Sequence, residues 1–133
     1  MFVKIVDKLS SYKEAIKLSC DILEKENIIN ENYFTSIMKK IEEFGSYFCI
    51  AEGVCMPHAR PEEGAIKEGL CVLKLNEPVD FLGKKIYVFF TLSAKDADAH
   101  VGILKRIAEV CMNKDKFNNI INAKSEKEIK EVF

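Results

Sequence analysis

The chain has 133 residues, the size of one domain with a real core. With 48% apolar and 31% charged residues, it is neither disordered nor fibrous. Twenty Lys and Arg oppose 21 Asp and Glu, and no stretch is basic enough to track a nucleic-acid backbone or an anionic membrane.

In chain order, Phe2-Val3-Lys4-Ile5-Val6 alternates and predicts a first strand. Ser10 or Ser11 caps the next segment, with Glu14 in the capping-box position after Ser11. Tyr12, Ala15, Ile16, Ser19, Cys20 and Leu23 then recur at helical spacing, predicting a helix over about 11–26. Glu31 to Glu43 reads as a second helix with Phe34, Ile37, Met38 and Ile41 buried, closed by Gly45. The apolar run Tyr47 to Ala51 predicts a strand, Glu52-Gly53 a turn, and Val54-Cys55-Met56 a short strand stopped by Pro57. A loop follows from Ala59 to about Lys67. Gly69 to Leu75 is another strand, ended by Asn76-Glu77-Pro78, with a turn over Val79 to Gly83. Ile86 to Leu92 is the most apolar strand and is expected at the sheet centre. Helical spacing returns over about 98–113, around Phe117 and Ile120, and after a Ser125 cap. The order points to one α/β domain over 1–133, with helices on a mixed sheet.

Five cysteines, at 20, 49, 55, 71 and 111, form no C-x-x-C and lie mostly in apolar runs. They read as core filling in a reducing compartment, so the cytoplasm is expected. No secretion signal and no apolar run of membrane-spanning length is visible.

Two histidines are the scarce chemical resource. His58 follows a strand-ending proline, with small Ala59 and the cation Arg60 after it. A neutral imidazole held at a strand end beside an arginine is suited to accept a phosphoryl group. The competing reading is a loop histidine without a role. His100 lies where a helix begins, near backbone N–H groups that favour anions, although it also reads as a solvated residue. Cys55 and His58 have C-x-x-H spacing, but no second ligand pair supports zinc and no third residue supports a Cys–His hydrolase. No Gly-rich phosphate loop is present, and no metal or other cofactor is expected.

The run Ala51-Glu52-Gly53-Val54-Cys55-Met56-Pro57-His58-Ala59-Arg60-Pro61-Glu62-Glu63-Gly64 resembles the active-histidine segment of the enzyme IIA components of the bacterial phosphoenolpyruvate:sugar phosphotransferase system. The class is mannitol/fructose, and Pro-His-Ala-Arg-Pro-Glu looks most like its ascorbate-type branch. The resemblance continues through Leu75-Asn76-Glu77-Pro78-Val79-Asp80-Phe81 and Leu92-Ser93-Ala94-Lys95-Asp96 to His100, so it covers nearly the whole chain. It implies a three-layer α/β/α sandwich with a mixed sheet. It also implies that His58 takes a phosphoryl group from phospho-HPr and passes it to a cysteine of enzyme IIB. The membrane component enzyme IIC then takes up the sugar. By the same resemblance, His100 is the supporting histidine and Glu52 stands at an acidic position of mannitol-type members. The arginine of those members has no counterpart at Ile41-Glu42-Glu43-Phe44, which leaves Arg60 as the candidate cation ahead of Arg106 and nearby lysines. Met56, Val54 and the 60–67 loop are expected to rim the site. A regulatory relative, whose His58 phosphorylation controls a protein partner, is the alternative reading.

Overall fold

The computed structural model describes residues 1–133. One four-stranded sheet, ordered β1-β3-β4-β2, runs through the molecule. Its strands are β1 (Phe2–Val6), β2 (Val54–Cys55), β3 (Gly69–Phe81) and β4 (Lys84–Ser93). The sheet is mixed: β1 is parallel to β3, β2 is parallel to β4, and β3 and β4 form an antiparallel hairpin.

Alternation along the two central strands builds a core on each face. Cys71, Leu73 and Leu75 point to one side, against α1 (Tyr12–Lys25) and α2 (Glu31–Phe44). Leu70 and Val72 point to the other, against α3 (Ala97–Met112), α4 (Lys114–Asn122) and α5 (Glu126–Val132). This is the expected three-layer sandwich. Helices as short as α4 and α5 are not stable alone. Each is anchored by one fully buried isoleucine, Ile120 or Ile129, worth about 2 kcal/mol in removed apolar surface. Ser11 caps α1 by accepting the Glu14 N–H at 3.2 Å, while the Glu14 carboxylate returns to the Ser10 N–H at 3.0 Å, one residue earlier than a standard capping box. No helix is long and apolar enough to cross a membrane.

Two expectations are corrected. The Tyr47–Ala51 run is not a strand. Gly45 turns the chain off α2 at φ 65°, and the Cys49 N–H closes a turn on the Ser46 carbonyl at 2.9 Å. Phe48 is buried, but Tyr47 and Ile50 are exposed. Only the Met56 N–H to Phe48 carbonyl bond (2.9 Å) and an Ala51–Val54 bridge tie this segment to β2. The second correction is that β3 does not stop at Leu75. The pairing shifts between Lys74 and Val79 and then resumes, Val79 opposite Ile86, through Phe81. Pro78 sits inside this irregularity, where a missing N–H costs no ladder bond. The Glu77 N–H leaves the hairpin and bonds the Asp7 carbonyl beyond β1 (2.9 Å). The turn is therefore the two residues Leu82 and Gly83, both at positive φ (51° and 93°).

The loop after β2 is docked on the start of α2. The Asn30 N–H donates to the Gly64 carbonyl (2.9 Å), and the Asn32 side-chain amide donates to the Glu63 carbonyl (3.3 Å). Gly64, at φ 122°, leaves room for this approach: a Cβ there would strike the Asn30 side chain and lie 2.9 Å from the Tyr33 backbone nitrogen. Gly83 has positive φ but open space around it. Gly83→Ala is expected to cost about 1 kcal/mol from backbone strain alone. Gly64→Ala adds the clash and is expected to cost about 2–4 kcal/mol. Urea unfolding of both variants tests this, and equal losses would remove the docking argument.

Candidate functional site

Pro57 lies two residues past β2, and its carbonyl accepts the Leu92 N–H near the end of β4 (3.1 Å), so His58 emerges beside the end of β4. Tyr33, fully buried on α2, fixes the next residue. Its hydroxyl donates to the Leu92 carbonyl at 2.6 Å and accepts the Ala59 N–H at 3.0 Å. One phenol thus joins the second helix, the central strand and the histidine loop. Burial pushes its ionisation far above the ordinary tyrosine range, so it acts as a neutral hydroxyl.

The His58 ring is positioned in the same way. Its Nδ1 lies 2.8 Å from the Met56 carbonyl, which can only accept, so Nδ1 carries the proton and Nε2 keeps the free lone pair. Phe48 packs edge-on against the ring at 5.1 Å between centroids. Burial is the main force holding the imidazolium below the usual histidine range. The neighbouring His100 and Lys40 add to it, and the Met56 carbonyl opposes them. The ring is held neutral with Nε2 available.

His58 faces a cleft of about 410 Å³ that also presents His100, Arg60, Lys40 and the start of α3. The His100 ring lies 5.2 Å from that of His58, centroid to centroid. His100 is the fourth residue of α3, and its N–H opens the helical ladder on the Asp96 carbonyl (3.1 Å). Asp96 caps the helix by accepting the Ala99 N–H at 2.8 Å. Of the first-turn groups, the Ala97 and Asp98 N–H have no partner within the helix, and Ala97 lines the cleft.

The structure therefore brings His58, His100 and Arg60 together, and it does not bring Glu52 to them. Glu52 belongs to the turn that leads into β2 and lines a separate groove with Lys84 and Tyr87. Arg106 lies over the Phe133 ring, also away from the cleft. Met56 and Val54 do not form the rim, because both face the α3 layer and are buried there. The rim aromatics are instead Phe44 and Tyr47, both exposed. Cys55 is buried on the α1/α2 side, and its thiol is driven up first by that burial, which leaves no Cys55–His58 nucleophile pair. Two residues escaped the sequence reading. Tyr33 looks like one more apolar position of an amphipathic helix. Lys40 is one of many surface-type lysines, yet its side chain is only 16% exposed and its Nζ lies 3.1 Å from Glu63 Oε1.

The model of the phosphoenolpyruvate-dependent sugar phosphotransferase system, EIIA 2 family matches residues 2–133. The chain is 34% identical over 133 residues to the mannitol-specific cryptic phosphotransferase enzyme IIA component of Escherichia coli K12, covering 98% of this chain and 90% of that one. The solution structure of the E. coli cryptic mannitol enzyme IIA matches with a TM-score of 0.89 at 34% identity, over 97% of this chain and 89% of that one. The ascorbate-specific PTS system EIIA component of E. coli K12 is 30% identical over 132 residues, 96% of this chain and 85% of the relative. A complex of mannitol enzyme IIA with phosphorylated mannitol enzyme IIB, from E. coli, matches with a TM-score of 0.81 at 14% identity, over 97% and 92% of the two chains, a likeness of fold.

Two outcomes follow from the geometry. Tyr33→Phe keeps the ring but strips the Ala59 N–H of its acceptor, so a loss of about 1–3 kcal/mol in urea unfolding is expected. In an NMR titration, His58 is expected to show the Nδ1–H tautomer and a midpoint below about 6.5. Because the folded state resists this proton, the unfolded chain binds it first. His58 therefore contributes stability that is present above about 6.5 and lost as pH falls from there through its lower folded midpoint. A titration midpoint at or above 6.5 would contradict the half-buried, neutral ring.

Proposed function

This chain belongs to the phosphoenolpyruvate-dependent sugar phosphotransferase system EIIA 2 family, and on that premise we propose that it relays a phosphoryl group through His58. The donor is the phosphohistidine of HPr and the acceptor a cysteine of an enzyme IIB partner, on the way to sugar uptake by the membrane enzyme IIC. The observation that carries this reading is the His58 ring itself, with Nδ1 committed to the Met56 carbonyl and Nε2 free in a cleft shared with His100.

The Nε2 lone pair attacks phosphorus in line with the donor's P–N bond. That bond breaks, and its electrons return to the donor imidazole. As P–Nε2 forms, His58 gains positive charge, and the Met56 carbonyl steadies it through Nδ1–H. In the second half, a thiolate sulfur attacks the same phosphorus and the P–Nε2 electrons return to His58. Such a transfer needs positioning and neutralisation of the phosphoryl oxygens more than covalent machinery. His100 and the first-turn N–H groups of α3 are the candidate donors to those oxygens. Phe44 and Tyr47, exposed aromatic residues lining the cleft, supply a small contact patch suited to partners that meet briefly and part.

Incubation with phosphorylated HPr is expected to place one acid-labile, base-stable phosphate on the protein and none on His58→Ala. Lack of label on the unmodified chain, or label retained by His58→Ala, would overturn the assignment. His100→Ala is expected to accept phosphate yet pass it to enzyme IIB about a hundred-fold more slowly, the low end of the loss of one stabilising donor. An unchanged onward rate removes His100 from the mechanism.

A further inference from the structure

Resting on the reading that His58 carries the phosphoryl group, we infer that Lys40 and Glu63 form an exchangeable ion pair that serves that group. Lys40 leaves the Glu63 carboxylate for the phosphoryl oxygens and returns when they depart. Lys40 projects from α2 into the same cleft as His58, its side chain largely sheltered from solvent. Its partner oxygen, Glu63 Oε1, already has a second donor, the Arg60 N–H at 2.8 Å. When the lysine moves away, that carboxylate is left hydrogen-bonded, and the loop from Ala59 to Gly64 keeps its fold.

The charge count gives the direction of exchange. With His58 unphosphorylated, Lys40 faces one carboxylate. Its positive charge already reaches the imidazole, where it disfavours protonation. A phosphoryl group adds about −1.5 to −2 charge and three acceptor oxygens at the same place. The lysine field that opposed a cation then favours the anion, and the doubly charged acceptor outbids the singly charged one. A lysine suits this task, being a point charge on a flexible four-carbon stem that can swing between two acceptors. Arg60 is the other cation in the cleft, but it is exposed, so water and salt weaken its hold on the phosphoryl group.

The experiment uses phosphoramidate, a small phosphoryl donor, so it does not depend on HPr. The purified chain is phosphorylated and its ³¹P signal, assigned by absence in His58→Ala, is titrated with pH. Lys40→Met is expected to raise the midpoint of the phosphoryl group by about one unit, the low end of the effect of removing an adjacent opposite charge. Lys40→Arg is expected to stay near the unmodified value. Glu63→Gln, which keeps an acceptor for the Arg60 N–H, is expected to lower the midpoint because nothing competes for Lys40. An unmoved midpoint in Lys40→Met, or a larger rise in Arg60→Met, overturns the assignment to Lys40. An unmoved or raised midpoint in Glu63→Gln overturns the exchange. If phosphoramidate labels His58 but phospho-HPr does not, the relay reading fails while Lys40 is still tested. If neither donor labels His58, both fail.

Discussion

Tyr33 is where the helix layer, the sheet and the histidine loop meet, and its hydroxyl is the constraint on which the site depends. Donating to Leu92 and accepting from Ala59, it uses one O–H as donor and acceptor on a side chain closed to solvent. An ordinary net hydrogen bond contributes about 1 kcal/mol, but a buried amide left without a partner costs about 1–3 kcal/mol. The asymmetry is what fixes the loop: moving Ala59 off the phenol would strip its buried N–H of this acceptor. His58, one residue earlier, inherits the position. The Pro57 carbonyl on Leu92 and the His58 Nδ1 on Met56 then set the backbone and the ring.

The same loop is held from its far end by α2. Gly64 lies against Asn30 and Tyr33, the Asn32 amide reaches Glu63, and Lys40 reaches the Glu63 carboxylate. One helix thus carries the clamp for the residue after His58, the dock for the loop and a cation in the cleft. The exposed Lys17–Asp21 pair on α1 shows the contrast. At 2.7 Å it is the shorter ion pair, yet with both side chains half in water it contributes no more than about 0.5 kcal/mol. Shelter and position, more than distance, make the Lys40–Glu63 pair consequential.

Neutrality of the His58 ring follows from its surroundings. Phe48 covers one edge, burial disfavours the imidazolium, and two cationic or ionisable neighbours press in the same direction. For the nucleophile proposed here this is useful, since the lone pair remains available at pH values where an exposed histidine is partly protonated. Burial disfavours any charge on the ring, but the positive field of Lys40, which also opposes a proton on His58, would favour an anionic group bonded to it.

Much of the architecture could be read from the chain. The periodicity of Ala15, Ile16, Cys20 and Leu23 set α1, the Ser11 and Ser125 positions serve as helix caps, and the run Ile86 to Leu92 is the buried centre of the sheet. Local patterns carry these features because each depends on neighbours three or four residues away, or two. The Tyr47–Ala51 run misled because an apolar stretch does not say what it will cover. Pro78 misled because its tolerance depends on the irregular pairing of the strand opposite. The scarcity of histidine and the Pro-His-Ala-Arg-Pro-Glu segment pointed to His58 and His100 without a structure. Only the tertiary structure decided that their rings lie 5.2 Å apart, that Glu52 faces another groove and that Lys40 stands in the cleft. Each of these joins residues from 18 to 42 positions apart, or separates residues six apart, and no local period encodes such pairings. The first and third follow from the packing of α2 and the start of α3 beside the end of β4.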